Sequence, residues 1–277
     1  MSLQILNSLF DRVYVLYLPR NVERMRRLTE QLRGVDVVWW RGFDAREYTL
    51  AELRARVTEL AGLKCEPLNP AIRAKNLAIW LSQWGVRNEI LTDGVRALVL
   101  EDDAWFVPDA ARRLEHYAEE LHGEPINDRW NVLYLYRENP AGPIDAAFRR
   151  SWGGSPDFEG GFRRVPPQLP QTACYDGPSV WDWIQHGNGP PELCSNPREL
   201  IVREDGSILD HVYIGASERI STVGYAITPE AVSAMYEETT IWTNDWWLAR
   251  LTEPGHRLRR TCYCLTPSVV WPRAPNT

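Results

Sequence analysis

The chain has 277 residues, of which 44% are hydrophobic and 25% charged, a composition typical of a globular protein with a large core. Its net charge of −6 gives no reason to expect a nucleic acid or an anionic membrane as partner. The five scattered cysteines contain no CxxC pair, which argues against a disulfide framework or a zinc site. Because we see neither a signal-peptide pattern nor a membrane-spanning stretch, we expect a cytoplasmic protein.

Apolar runs of strand length alternate with segments of helical period over the first half of the chain. The predicted strands lie at 12–18, 35–41, 96–100 and 130–136, and the predicted helices at 22–32, 50–61, 71–90 and 108–121. Asn21 and Thr49 are candidate N-caps of the first two helices. The alternation predicts an α/β fold with a mainly parallel central sheet and helices on both faces.

The second half begins with residues 138–218, which are dense in proline and glycine and show no sustained period. We predict a long irregular insertion that lies over the active edge of the sheet. Trp181, Trp183 and His186 are candidate contacts for an acceptor substrate at that edge, with core packing as the alternative for the two tryptophans. Regular structure is predicted again at three later positions, a strand at 220–227, a helix capped by Thr228 and a strand at 260–265. We expect one domain over 1–277, ending in a tail at 267–277.

Three carboxylates, Glu101, Asp102 and Asp103, follow directly on the apolar run at 96–100. Acids at the end of a buried strand are costly unless something positive meets them. A divalent cation that holds a nucleotide diphosphate would meet them, because hard cations such as Mn²⁺ and Mg²⁺ take carboxylate oxygens. Ligands of open α/β sheets bind at the carboxyl ends of strands. The alternative is a strand that runs into a solvated acidic turn.

Other polar candidates also follow predicted strands. Arg20 and Arg24 stand at the start of a helix, where a phosphate would meet both their charges and backbone N–H groups; a solvated basic helix face is the alternative. Asp44 would accept a hydrogen bond from a ribose or a base, or stabilise an Asx turn. Asp245 lies among tryptophans, so we expect it to have a partner, a catalytic task or a helix-capping role.

In their order along the chain, several stretches resemble the family 25 glycosyltransferases, which include lipopolysaccharide-type and collagen galactosyltransferases. The family's opening strand V-x-V-I-N-L-x-R-x-x-x-R is similar to 13–24, and its hallmark A-L-I-L-E-D-D is similar to 97–103. Further similar segments are 41–45, 130–135, 222–231 and 243–248. The family's S-H-L-x-x-W helix resembles 75–80, with Lys75 and Asn76 in place of serine and histidine.

The resemblance implies a GT-A-like nucleotide-binding fold and transfer of a sugar from a nucleotide sugar, expected to be a UDP-hexose, to a saccharide or other hydroxyl acceptor. It implies Mn²⁺ or Mg²⁺ bound by Asp103, with Asp102 or Glu101 assisting. His256 is a candidate late metal ligand, with a surface or packing role as the alternative. Asp245 is the candidate general base and, with Asp103, a candidate catalytic residue. The implied donor contacts are Leu18, Arg20, Arg24, Asp44, Lys75, Asn76, Glu101 and Asp102.

Two alternatives stay open at this point. The exchange of the family's Ser-His pair for Lys75-Asn76 is compatible with a catalytically degenerate protein that binds sugar nucleotides on the same fold. The other alternative is a glycosyltransferase that acts on a modified nucleic-acid base, as some phage enzymes do. The net charge of −6 counts against this second alternative.

Overall fold

The structure, a computed structural model, describes residues 2–61, 74–136, 199–214, 222–237, 248, 251–252, 256–265 and 269–272. The strands in these ranges are β1 (Arg12–Tyr17), β2 (Val37–Arg41), β3 (Ala97–Glu101), β4 (Ala104–Phe106), β5 (Val132–Tyr134), β6 (Glu199–Val202), β7 (Ile208–Ile214), β8 (Gly224–Ile227), β9 (Cys262–Leu265) and β10 (Val270–Pro272). The α-helices are α1 (Leu6–Leu9), α2 (Val22–Gln31), α3 (Leu50–Ala61), α4 (Ala74–Asp93), α5 (Ala110–His122) and α6 (Pro229–Tyr236). Short 3-10 helices occupy Leu3–Ile5 and Arg259–Thr261.

Eight of the described strands form one mixed sheet in the order β2-β1-β3-β8-β5-β9-β7-β6. The pairs β1–β2, β1–β3 and β5–β9 are parallel, and the other four pairs are antiparallel. Six of the eight strands still run in one direction, because only β7 and β8 are reversed relative to the rest. The predicted α/β class with a largely co-directional sheet is therefore confirmed.

Helices cover both faces of this sheet, as predicted. One core cluster joins α1, α2 and α5 to Leu98 and Leu100 of β3. The other joins α3, α4 and α6 to Ala97 and Val99 of the same strand. A strand that is buried on both faces has to be apolar throughout, which explains the continuous run of β3. None of the helices in the described ranges combines the length and the apolar character needed to cross a bilayer.

Two of the three proposed helix caps are confirmed. Thr49 Oγ1 accepts a hydrogen bond from Glu52 N (3.2 Å), and the Glu52 carboxylate accepts one from Thr49 N (2.6 Å), which forms a capping box at α3. Thr228 Oγ1 accepts from Ala231 N (3.3 Å) at the start of α6. The third proposed cap is wrong, because the Asn21 side chain makes no capping bond to α2 and is engaged elsewhere.

The structure differs from the sequence expectation at 199–214, where β6 and β7 form an antiparallel hairpin inside the stretch predicted to be irregular. Gly206 adopts φ +82° at the tip, and Arg203 N donates to Ser207 O (2.7 Å). The Asp205-Gly206 pair between two apolar runs is a hairpin signal that the surrounding prolines and glycines obscured. The remainder of 138–218 lies outside the described residues.

A second, two-stranded sheet pairs β4 with β10 in antiparallel fashion, with Phe106 opposite Val270. Part of the predicted tail at 267–277 is therefore a strand. The amide of Gln31 on α2 anchors β4 like an additional strand, because Gln31 Nε2 donates to Phe106 O (3.0 Å) and Gln31 Oε1 accepts from Phe106 N (3.2 Å). These contacts fix the chain that directly follows the three acids.

Candidate functional site

The carboxyl ends of β1 and β3 lie side by side, with Leu16 opposite Glu101 in the parallel register. The chain runs from β1 through α2 to β2, which is the neighbour of β1 on the side away from β3. From β3 it runs through β4 and α5 to β5, which lies on the side of β3 away from β1. The connections therefore diverge between these two strands. Ligands of open α/β sheets bind in a crevice at the carboxyl edge where connections diverge, so we expect a ligand site there.

Asp102 joins the two strand ends at this edge. Its Oδ2 accepts hydrogen bonds from Leu18 N (3.1 Å) and from Asn21 Nδ2 (2.7 Å), and its Oδ1 accepts from Arg24 Nη1 (3.1 Å). The residue is 8% exposed, so these donors replace the water that a carboxylate loses on burial. Asp102 thus ties the loop after β1 to the end of β3. A metal-ligand role for Asp102 stays a prediction, and these donors would compete with a cation for its oxygens.

Arg24 also lies near the next acid, with Nη1 3.6 Å from Asp103 Oδ2. The Arg24 side chain is 45% exposed, whereas that of Asp103 is 22% exposed. One edge of the guanidinium is therefore held by carboxylates while the side chain still reaches solvent. An arginine fixed in this way can offer its remaining N–H groups to an anion.

Arg20 and Asp44 form a second ion pair at the same edge, with Arg20 Nε 2.8 Å from Asp44 Oδ2. Asp44 Oδ1 accepts from Arg46 N (3.0 Å), which is the Asx turn considered as one alternative for this residue. The pair connects the loop after β1 to the loop after β2. A contact of Asp44 with a ribose or a base stays a prediction.

Glu101 contacts other partners than Asp102 does. Its Oε1 accepts hydrogen bonds from Gln83 Nε2 (3.4 Å) on α4 and from the Oγ1 of Thr222, two residues before the start of β8. Its backbone N donates to Val223 O (3.1 Å). As the last residue of β3, Glu101 continues the strand alternation toward the α4 face, whereas Asp102 turns toward the loop after β1.

The different partners of Glu101 and Asp102 bear on the predicted metal site. In the ranges that the structure describes, no three histidine, cysteine, aspartate or glutamate side chains come together as a metal site. Asp103 is the more exposed of the two aspartates, and His256 Nδ1 accepts a local hydrogen bond from Leu258 N (3.2 Å). The carboxylates of Asp102 and Asp103 approach the same nitrogen of Arg24, and Mg²⁺ is commonly held by one or two carboxylates together with substrate phosphates. Metal binding by Asp103, Asp102 or His256 stays a prediction.

Lys75 and Asn76 lie in the first turn of α4, with Lys75 exposed and Asn76 half-buried. Because α4 leads into the amino end of β3, its first turn lies on the side of the carboxyl edge. Lys75 precedes Gln83 by eight residues, which is about 12 Å along a helix axis. Lys75 thus lies on the carboxyl side of the sheet, about 12 Å further along the α4 axis than Gln83, which contacts the end of β3. The predicted residues Trp181, Trp183, His186 and Asp245 lie outside the described residues.

Sequence reasoning missed two residues that hold the acids, Asn21 and Gln83. Asn21 precedes a helix and was explained as its cap, so its long-range bond to Asp102 gave no separate signal. Gln83 did leave a trace, because a glutamine and an arginine occur four residues apart within the apolar segment of α4. A polar pair at helical spacing on a buried face indicates a buried hydrogen-bond network.

No known family model matches the chain, and no curated protein matches it.

Proposed function

We propose that this chain is a glycosyltransferase that moves a sugar from a nucleotide-sugar donor, a UDP-hexose, to a hydroxyl group of a saccharide or related acceptor on a GT-A-like fold. The observation that carries the proposal is the arrangement around Asp102, which joins the carboxyl ends of β1 and β3 and holds Arg24 at this edge. The resemblance to family 25 glycosyltransferases also supports the proposal, because the similar segments 13–24 and 97–103 include these strand ends.

The chemical demand of the reaction fits the charges at this edge. When the bond between sugar and diphosphate breaks, the leaving diphosphate gains negative charge and needs fixed positive groups. Arg20 and Arg24 are held by Asp44 and Asp102, and both arginines remain partly exposed. Their orientation is therefore set before the donor binds, which lowers the entropic cost of aligning them with the phosphates. Lys75 would add a third cation from the start of α4.

Two parts of the proposal rest on residues beyond this cluster. Mn²⁺ or Mg²⁺ would supply a Lewis acid for the leaving group, with Asp103 as the proposed ligand among the described residues. Asp245 is proposed to take the proton from the acceptor hydroxyl as general base.

A donor-hydrolysis screen tests the proposal. The wild-type chain is incubated with a panel of nucleotide sugars in the presence of Mn²⁺ or Mg²⁺, and release of the nucleoside diphosphate is measured. We expect release from at least one donor, and a loss of about tenfold or more in Arg24→Gln, because an arginine held next to the leaving group is removed. The matched control is Arg112→Gln, which removes an exposed arginine on α5.

The outcomes separate the alternatives. Donor binding without release across the whole panel would support the catalytically degenerate protein. Absence of binding to every nucleotide sugar would contradict the proposed function.

A further inference from the structure

Helix α4 buries two polar side chains one turn apart, Gln83 and Arg87. Gln83 is 1% exposed and Arg87 is fully buried. Burial of a guanidinium costs several kcal/mol unless hydrogen bonds and charges compensate, and apolar side chains of similar size fill such a space without that cost. The pair therefore calls for an explanation beyond packing.

The two side chains belong to a hydrogen-bond chain with a fixed direction. Arg87 Nη2 donates to the hydroxyl of Tyr225 on β8 (3.3 Å), and the guanidinium lies 5.7 Å from the centroid of the Tyr225 ring. The Tyr225 hydroxyl donates to Gln83 Oε1, and Gln83 Nε2 donates to Glu101 Oε1 (3.4 Å). Because arginine can only donate, the direction of the following bonds and the orientation of the Gln83 amide are set.

We propose that Arg87, Tyr225 and Gln83 are positioning residues of the proposed donor site, which act by holding the Glu101 carboxylate at the end of β3. This series of hydrogen bonds begins at the buried cation of Arg87 and ends at the carboxylate of Glu101, so each bond polarises the next in the same sense. Thr222 donates to Glu101 from the β8 side, and the loop of Asp102 and Asp103 starts at this fixed residue. This inference rests on the proposed function.

The same helix also fixes a second loop at the carboxyl edge. Ser82, adjacent to Gln83 and buried, accepts a hydrogen bond from Phe43 N (2.8 Å) in the loop after β2. Close packing reinforces this arrangement, since a Cβ on Gly85 would lie 3.0 Å from Trp40 of β2. The buried polar side chains of α4 thus reach the ends of β2 and β3, where the proposed donor contacts lie.

The substitution Tyr225→Phe removes the middle link and keeps the ring. Its matched control is Tyr236→Phe. This substitution removes a hydroxyl that donates to Asn88 Oδ1 (2.8 Å) on α4 but takes no part in the hydrogen bonds that lead to Glu101. The measurement is the affinity for UDP by isothermal titration, at a temperature where all proteins are folded. We expect about tenfold weaker binding in Tyr225→Phe and a change below about twofold in Tyr236→Phe. The variant Gln83→Met, which breaks the next link, is expected to match Tyr225→Phe.

The results separate this inference from the proposed function. Wild-type binding of UDP together with unchanged affinity in both Tyr225→Phe and Gln83→Met would overturn the inference alone. Equal weakening in Tyr225→Phe and Tyr236→Phe would also overturn it, since the effect would then follow from the loss of any buried hydroxyl bond. A wild-type chain that does not bind UDP would overturn the proposed function and this inference with it.

Discussion

The side-chain amide of Asn21 donates a 2.7 Å hydrogen bond to Asp102 Oδ2, although the two residues are 81 positions apart in the chain. Together with the bond from Leu18 N, this contact closes the loop after β1 onto the end of β3. Arg24 completes the set on the other carboxylate oxygen. The candidate site is therefore built around the buried Asp102 carboxylate, which holds the Arg24 guanidinium in place.

Replacement of Asp102 by alanine is expected to destabilise the fold by about 2–4 kcal/mol, because three donors lose their acceptor at once. Chemical denaturation followed by tryptophan fluorescence measures this loss. Asp103→Ala is the matched control, since Asp103 is more exposed and its contact with Arg24 is longer. Asp103→Ala should lower the affinity for UDP with Mn²⁺ while leaving stability nearly unchanged. Equal stability of the two variants would contradict the structural role of Asp102.

Lys75→Ala is expected to weaken UDP binding about three- to tenfold, because one cation facing the diphosphate is lost. Stability should not change, as the side chain is exposed at the start of α4. The control is Arg56→Ala, which removes an exposed cation from α3. Full activity and full UDP affinity in Lys75→Ala would show that Lys75 has no role at the site.

Stability is expected to fall at alkaline pH. Burial raises the pKa of Tyr263 to about 12, and it raises the pKa values of Tyr134, Tyr236 and Cys262 above their ordinary values of 10.0 and 9.0. Above about pH 9 the unfolded chain releases these protons while the folded chain keeps them, so the free energy of unfolding decreases with rising pH. Each fully buried group contributes a slope of up to about 1.4 kcal/mol per pH unit.

Urea unfolding at about pH 8 and about pH 10.5 measures this effect as a shift of the midpoint. Tyr134→Phe should have a shallower dependence than the wild type, because it lacks one of the groups that titrate in the unfolded chain. Stability that is constant or rises over this range would contradict the prediction.

Gln31 is expected to stabilise β4, the strand that follows the three acids. Gln31→Met removes both bonds to the Phe106 backbone and should cost about 1–2 kcal/mol. Gln31→Glu keeps the acceptor for Phe106 N but cannot donate to Phe106 O, so an intermediate loss is expected. Hydrogen exchange at the Phe106 amide reports the change locally. Unchanged protection of that amide in Gln31→Met would refute the anchoring role.

Most strands and helices of residues 12–136 followed from the sequence, whereas β4, the β6–β7 hairpin and β10 did not. The partners of the site residues did not follow from it either. The helix at 50–61 was predicted with its observed bounds, because the apolar period and the Thr49 cap are both local. The hydrogen bonds of Asp102 join residues far apart in sequence, so local patterns gave no access to them. Glu101 and Asp102 are adjacent in sequence yet contact different elements, and a strand end alone does not reveal where each will point.

A crystal structure of the chain with UDP, obtained in the presence of Mn²⁺, tests the central claim most directly. The account predicts that the diphosphate lies at the carboxyl ends of β1 and β3, within hydrogen-bond distance of the guanidinium groups of Arg20 or Arg24. UDP bound at a different edge of the sheet, or a crevice that stays empty at a saturating UDP concentration, would contradict it.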